Sequence, residues 1–178
     1  EVNFVNDFYI SVYNITTGKL IHRYQSPINH YFFSPVWLDN EHLISIILEN
    51  EGKMLARINP AKETMDIIPR KDQGEIKHLR IDSDTLYYIS GHSGKDEFYR
   101  ATLNGDTCER IGEARFGFAY PAQNRSNGEW MLSDYTSNGY RIIGIDPRKS
   151  TTKPLSQVEP GTYKLADELA KQEESTIN

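Results

Sequence analysis

The stretch Leu86-Tyr-Tyr-Ile-Ser-Gly-His-Ser-Gly-Lys-Asp-Glu-Phe-Tyr-Arg-Ala-Thr-Leu103 sets two apolar, aromatic-rich runs on either side of a Gly/Ser/Lys turn. That layout is one antiparallel hairpin, because strand alternation buries every second side chain and the turn residues tolerate the backbone angles of a reversal. The same layout precedes it in Leu43 to Ile58, turning at Asn50-Glu51-Gly52-Lys53. It follows again in Trp130 to Ile145, turning at Thr136-Ser137-Asn138-Gly139.

Successive hairpins therefore begin about 43 residues apart. A period of roughly 40 to 50 residues is that of four-stranded propeller blades. Working outward, residues 27–70 offer strands at Phe33 to Leu38, His42 to Glu49, Lys53 to Asn59 and Thr64 to Pro69. Residues 71–115 repeat the order at Ile76 to Ile81, Thr85 to Ser90, Glu97 to Leu103 and Thr107 to Gly112. Residues 116–158 do so at Ala119 to Gln123, Trp130 to Asp134, Tyr140 to Ile145 and Thr152 to Val158, where Pro154 demotes the last strand to an edge.

Upstream, residues 1–26 hold one hairpin, Phe8 to Asn14 with Lys19 to Gln25, which reads as the outer half of a blade with an open edge. Downstream, residues 159–178 change pattern. Tyr163, Leu165, Ala166, Leu169 and Ala170 fall on one helical stripe, with Thr162 as N-cap, or the segment is a frayed linker that is helical only where it packs. The nearly continuous apolar run Leu43 to Leu48 is expected of a strand buried on both faces. Arg57 and Arg100 occupy matching places and suggest a repeated packing site or an inter-blade salt bridge.

The fold class expected is thus all-β: a partial propeller of about three four-stranded antiparallel blades plus a half blade, with a short C-terminal helix. With 178 residues and 38% hydrophobic content the chain can bury a real core. A net charge of −5 supplies no positive field, which disfavours nucleic acid and anionic lipid as partners. Cys108 is the only cysteine, so no internal disulfide forms and either redox compartment stays open. No apolar run reaches the roughly 18 residues of a membrane helix. The chain opens at Glu1 rather than Met, which reads as a processed or trimmed N-terminus.

The segment Pro35-Val-Trp-Leu-Asp-Asn-Glu-His-Leu43 resembles the TolB-like, WD40-like propeller repeat, whose blades open with Pro-x-Trp-Ser-Pro-Asp-Gly before a buried strand. Pro121-Ala-Gln-Asn-Arg-Ser-Asn-Gly-Glu-Trp130 is similar to a looser, longer copy, and His78 to Leu86 keeps only the aspartate and the strand. The Ser-Pro-Asp-Gly turn is intact in none of them. The resemblance implies a cell-envelope protein, periplasmic or outer-membrane associated, whose propeller binds protein, peptide or glycan without catalysis. Its alternative implication is the gating propeller of a prolyl-oligopeptidase-like serine hydrolase whose catalytic domain lies elsewhere. Three and a half blades close no ring, so the open blade edges also suggest self-association.

Catalytic and metal-binding signatures are not found. Ser90-Gly-His-Ser-Gly94 lacks the leading glycine of a nucleophile elbow and lies in a hairpin turn. His22, His30, His42, His78 and His92 are scattered without metal-ligand spacing, and Asp82-Ser-Asp84 lacks the later glycine and glutamate of a calcium loop. No phosphate-binding glycine loop occurs, and no cofactor is expected. The remaining candidates are aromatic: Tyr31, Phe32 and Phe33 lead into one blade, and Phe116, Phe118 and Tyr120 into another. They form either a platform for a peptide or glycan or the packing between neighbouring blades.

Overall fold

Four antiparallel sheets, met in chain order, build the computed structural model, which describes residues 1–50, 52–124 and 126–175. The first pairs β1 (Ile10–Tyr13) with β2 (Leu20–Tyr24). The second runs β3 (Phe32–Trp37), β4 (Leu43–Glu49), β5 (Gly52–Asn59), β6 (Thr64–Ile68) in that spatial order. The third holds β7 (Ile76–Asp82), β8 (Thr85–Ser90), β9 (Glu97–Thr102) and β10 (Cys108–Gly112). The fourth holds β11 (Phe118–Gln123), β12 (Trp130–Thr136) and β13 (Gly139–Ile145). A two-residue β14 (Lys153–Pro154), a 3-10 turn at Leu155–Gln157 and an α-helix, α1 (Lys164–Ser175), follow.

Alternation along the second strands explains how the sheets stack. In β4, Leu43 and Ile47 pack with Ile10 and Tyr24 of the first sheet, while Ile44 and Ile46 pack with Ile76, Leu79, Leu86 and Tyr88 of the third. In β8 the same split sends Leu86 and Tyr88 backward and Tyr87 and Ile89 forward, onto Phe118, Trp130 and Leu132 of the fourth sheet. The second and third sheets are thus each the filling between two neighbours, which is why β4 is apolar on both faces. Burying one such Leu or Ile is worth about 1.5–3 kcal/mol, so the three inter-sheet cores dominate stability. The first hairpin behaves as an outer blade half: Ile10 pairs with Tyr24 as Leu55 pairs with Ile68 in the next sheet.

A bulge recurs in every inner strand. Ser34 and Pro35 oppose one residue of β4, His78 and Leu79 one of β8, Tyr120 and Pro121 one of β12. The first residue of each bulge has φ of 47°, 56° and 51° respectively. A left-handed non-glycine residue costs about 1–2 kcal/mol. The bulge also explains how proline is tolerated in a strand with a paired neighbour, since bulged residues leave the ladder.

Three details depart from the sequence reading. Arg57 bonds Asp66 and Arg100 bonds Glu109, both directly opposite in the adjacent strand of the same sheet, so the repeated arginine makes a cross-strand pair within each blade and no inter-blade bridge. Thr152 to Val158 does not become the fourth strand of its own blade. The Asp146 carbonyl accepts the N–H groups of Lys149 and Ser150, curling the chain away, and Lys153–Pro154 pairs instead with β10 at the outer edge of the third sheet. Leu155 packs on the core beneath and Val158 is buried, an apolar gain that holds the strap there. Pro154, lacking an N–H, does sit on a sheet edge, as expected, though on the neighbouring sheet. At the C-terminus the helix forms, but it starts at Lys164 and the Asp167 N–H donates to the Tyr163 carbonyl, so Tyr163, not Thr162, holds the N-cap position. Tyr163, Leu165 and Leu169 stay exposed.

Candidate functional site

Equivalent backbone bonds define one common end of the blades. The N–H groups of Leu48, Gly91 and Tyr135 donate to the carbonyls of Tyr31, Glu75 and Gly117, each tying the end of a second strand to the residue just before an inner strand. Phe32, Ile76 and Phe118 then fall at one repeat position. The two sequence-predicted aromatic groups do lie at equivalent ends of their blades, but only Phe32 and Phe118 are true counterparts.

Their fates differ. Phe118 is 5% exposed inside the core between the third and fourth sheets, which corrects its assignment to a binding platform: it is blade packing. Phe32 is half-buried against the first core, its ring centroid 6.0 Å from that of Tyr24. Phe33 is half-buried beneath the Lys53 ammonium, 4.6 Å from its ring centre. Tyr31 is 44% exposed and lies between Phe8 at 4.5 Å and Phe33 at 4.4 Å. Phe116 is exposed, 6.3 Å from Tyr135 and beneath the Arg115 guanidinium. Tyr120, at its bulge, is exposed and leans on the His78 ring 4.6 Å away, joining two adjacent inner strands.

Tyr135 and Tyr140 are the aromatics that sequence reasoning missed. They flank the third hairpin turn, their rings are 5.0 Å apart, and with Phe116 they form an exposed row. Arg115 and Arg141 close this row into a groove of about 370 Å³. The signal was present in the tyrosines on either side of Thr136 to Gly139, a flank that the hairpin register turns to one face.

Charges accompany the inner strands. Lys53 pairs with Glu75 of the next blade, and Lys77 with Asp96 at 3.0 Å. Gln123 donates to Asp82 at 2.6 Å across the third and fourth sheets. His78 is held below its ordinary pKa, first by burial and then by the Arg80 and Lys77 cations. The arrangement offers aromatic faces beside guanidinium groups, suited to stacking on sugar rings or on aromatic and acidic side chains. Ser93, in its turn, donates its hydroxyl to Glu97 at 2.7 Å. Among the described residues no cluster of three or more His, Cys, Asp or Glu is gathered as a metal needs, and no helix is long and apolar enough to cross a membrane.

The succession of stacked antiparallel sheets is a partial β-propeller. Among solved structures, the chain is similar to a protein described as "putative TolB from Agrobacterium tumefaciens", with a TM-score of 0.58, 15% identity and 83% of this chain covered. It spans 60% of that protein's length. No protein-family model matches the chain. No curated protein matches it in sequence.

Proposed function

We propose that the chain is a non-catalytic binding or scaffolding propeller segment of a bacterial cell-envelope protein. Its contact surface is the blade end that carries Tyr31 and Phe33 in one blade and Phe116, Tyr135 and Tyr140 in another. The observation that carries this reading is the groove of about 370 Å³ in which exposed aromatic rings lie between Arg115 and Arg141. Rigid aromatic side chains give a large contact area at small entropic cost, and arginine adds planar hydrogen bonding to it. The ligand class is a peptide or glycan of the envelope. The fold likeness to a TolB-like protein supports the envelope location.

A peptide and glycan array probed with the parent chain and with the variant F116S/Y140S tests the proposal. Binding by the parent that the variant loses, with its thermal unfolding unchanged, is the expected result. No ligand on either array, or equal binding by the variant, overturns it.

A further inference from the structure

We propose that the free edge of β13 accepts an extended segment of a partner protein as the fourth strand of its sheet, apolar at alternate positions and carrying carboxylates between them. This site is built on Ile143 and Ile145, at the other end of β13 from the Tyr140 and Arg141 that line the aromatic groove, and it shares no lining residue with that groove, so the failure of either proposal leaves the other standing.

Register identifies what is missing. Leu43 opposes Ile58, Leu86 opposes Ala101 and Trp130 opposes Ile145, which makes Ile58, Ala101 and Ile145 equivalent. In the second sheet the neighbour of Ile58 on the fourth strand is Met65, and in the third the neighbour of Ala101 is Cys108. Both pack into an inter-sheet core. Among the described residues Ile145 has no such neighbour, because β13 is the outer strand of a three-stranded sheet. One step along, Ala56 meets Ile67 and Tyr99 meets Arg110, while their equivalent Ile143 has no partner on its outer side among the described residues.

The vacant register coincides with a groove of about 830 Å³ floored by Ile111, Phe118, Ile143 and Ile145. That volume is within the roughly 300–1,000 Å³ of ligand sites. Arg110, Lys149 and Lys153 line it with a single carboxylate, Glu113, which Arg110 already holds at 2.9 Å; Lys149, 85% exposed, reaches Asp146 only at 3.5 Å. On a chain of net charge −5, two lysines beside an apolar floor favour an incoming segment with acidic residues between its apolar ones. The chain's own candidate for this place, Thr152 to Val158, is held on β10 by its pairing and by buried Val158. An unpaired edge strand supplies the backbone donors and acceptors, and the floor reads alternate side chains, which is how strand addition combines affinity with specificity.

The probe is a fluorescein-labelled peptide of residues 62–69, Lys-Glu-Thr-Met-Asp-Ile-Ile-Pro, the fourth strand of the second sheet, which carries Met65 and Ile67 around Asp66. Anisotropy is expected to show saturable binding, with amide exchange slowed in residues 139–145. A scrambled peptide that breaks the alternation is expected not to bind. The variant K149E/K153E should bind about tenfold more weakly with its thermal unfolding unchanged, the factor that reversing the exposed Lys149 and the half-buried Lys153 carries. Absence of binding, equal binding of the scrambled peptide, or protection at 108–112 with release of 153–158 overturns the proposal. So does protection of 139–145 that rises with protein concentration in the absence of peptide, which would make a second copy the occupant.

Discussion

His92 and Val158, 66 residues apart, meet where the imidazole Nε2–H donates to the Val158 carbonyl at 3.3 Å. The other ring nitrogen, Nδ1, accepts the Gln73 N–H at 3.0 Å, which sets the tautomer. One buried side chain thus joins the linker into the third sheet to the strap that returns to it. Replacing His92 by Ala leaves a donor and an acceptor unpaired in a buried place, at a cost of about 1–3 kcal/mol. Urea unfolding should register that loss, and exchange of amides 153–161 should speed up more than that of β8.

Gly161 holds the strap by close approach. Its N–H donates to the His92 carbonyl at 2.7 Å, and a Cβ placed on it would stand 2.4 Å from the backbone of Gly94. Backbone cannot yield as a flexible side chain does, so Gly161→Ala should displace the strap and destabilise the fold, whereas Gly18→Ala, open on all sides but strained at φ 67°, should leave the strap protected. Comparing amide exchange at 153–158 in the two variants separates the effects.

Asp72 sets an acid limb to stability. Burial alone would raise its carboxyl, but the hydrogen bonds and charge of Arg70, followed by bonds from Ser90 and Tyr88, outweigh it and hold the group below its ordinary value. A carboxyl depressed in the folded state contributes stability that is full above the unfolded value, roughly 3.9, and is lost as pH falls through the folded one. Unfolding free energy should therefore drop steeply below about pH 4. Asp72→Asn should flatten that limb while lowering stability at neutral pH by about 3 kcal/mol, because it leaves Arg70 buried beside a neutral partner. Urea titrations between pH 3 and pH 7, a span on both sides of the ordinary carboxyl value, measure both effects.

Cys108 should be inert in the native chain. It is buried, and burial pushes its thiol up to about 11. Since the thiolate is the reactive form, a thiol reagent at neutral pH should label it only through opening of the third sheet. Labelling rates that track unfolding across a urea series bear this out; rapid labelling without urea would contradict it.

Trp130 anchors the last blade. It is 1% exposed, with ring centroids 4.5 Å from Tyr87 and 5.3 Å from Phe98. Trp130→Ala should cost about 3–5 kcal/mol. Trp37, by contrast, is 51% exposed, so the native emission shift should be lost with the former residue and kept in Trp37→Ala.

Much of the fold was legible in the chain. The alternation in Leu43 to Leu48 and in Leu86 to Ser90, the turns between them and the spacing of the hairpins are local and periodic, and local periodic patterns survive folding because each strand must bury one face whatever its neighbours are. Those features determined the strands, their hairpin order and the stacked antiparallel blades. Tertiary structure alone decided which sheet the last segment joins: Lys153–Pro154 carries too few residues to specify a partner, and the packing of Leu155 on the core beneath together with the burial of Val158 settles it. It also decided which aromatics face solvent. Phe116, Phe118 and Tyr120 share the spacing of one strand face, yet the first precedes β11, the second enters a core and the third sits on a bulge that turns it outward. Strand spacing places side chains only while the pleat is unbroken, and at the left-handed backbone of Tyr120 the pleat is broken, so the candidate site took its shape from a register that no single stretch of residues encodes.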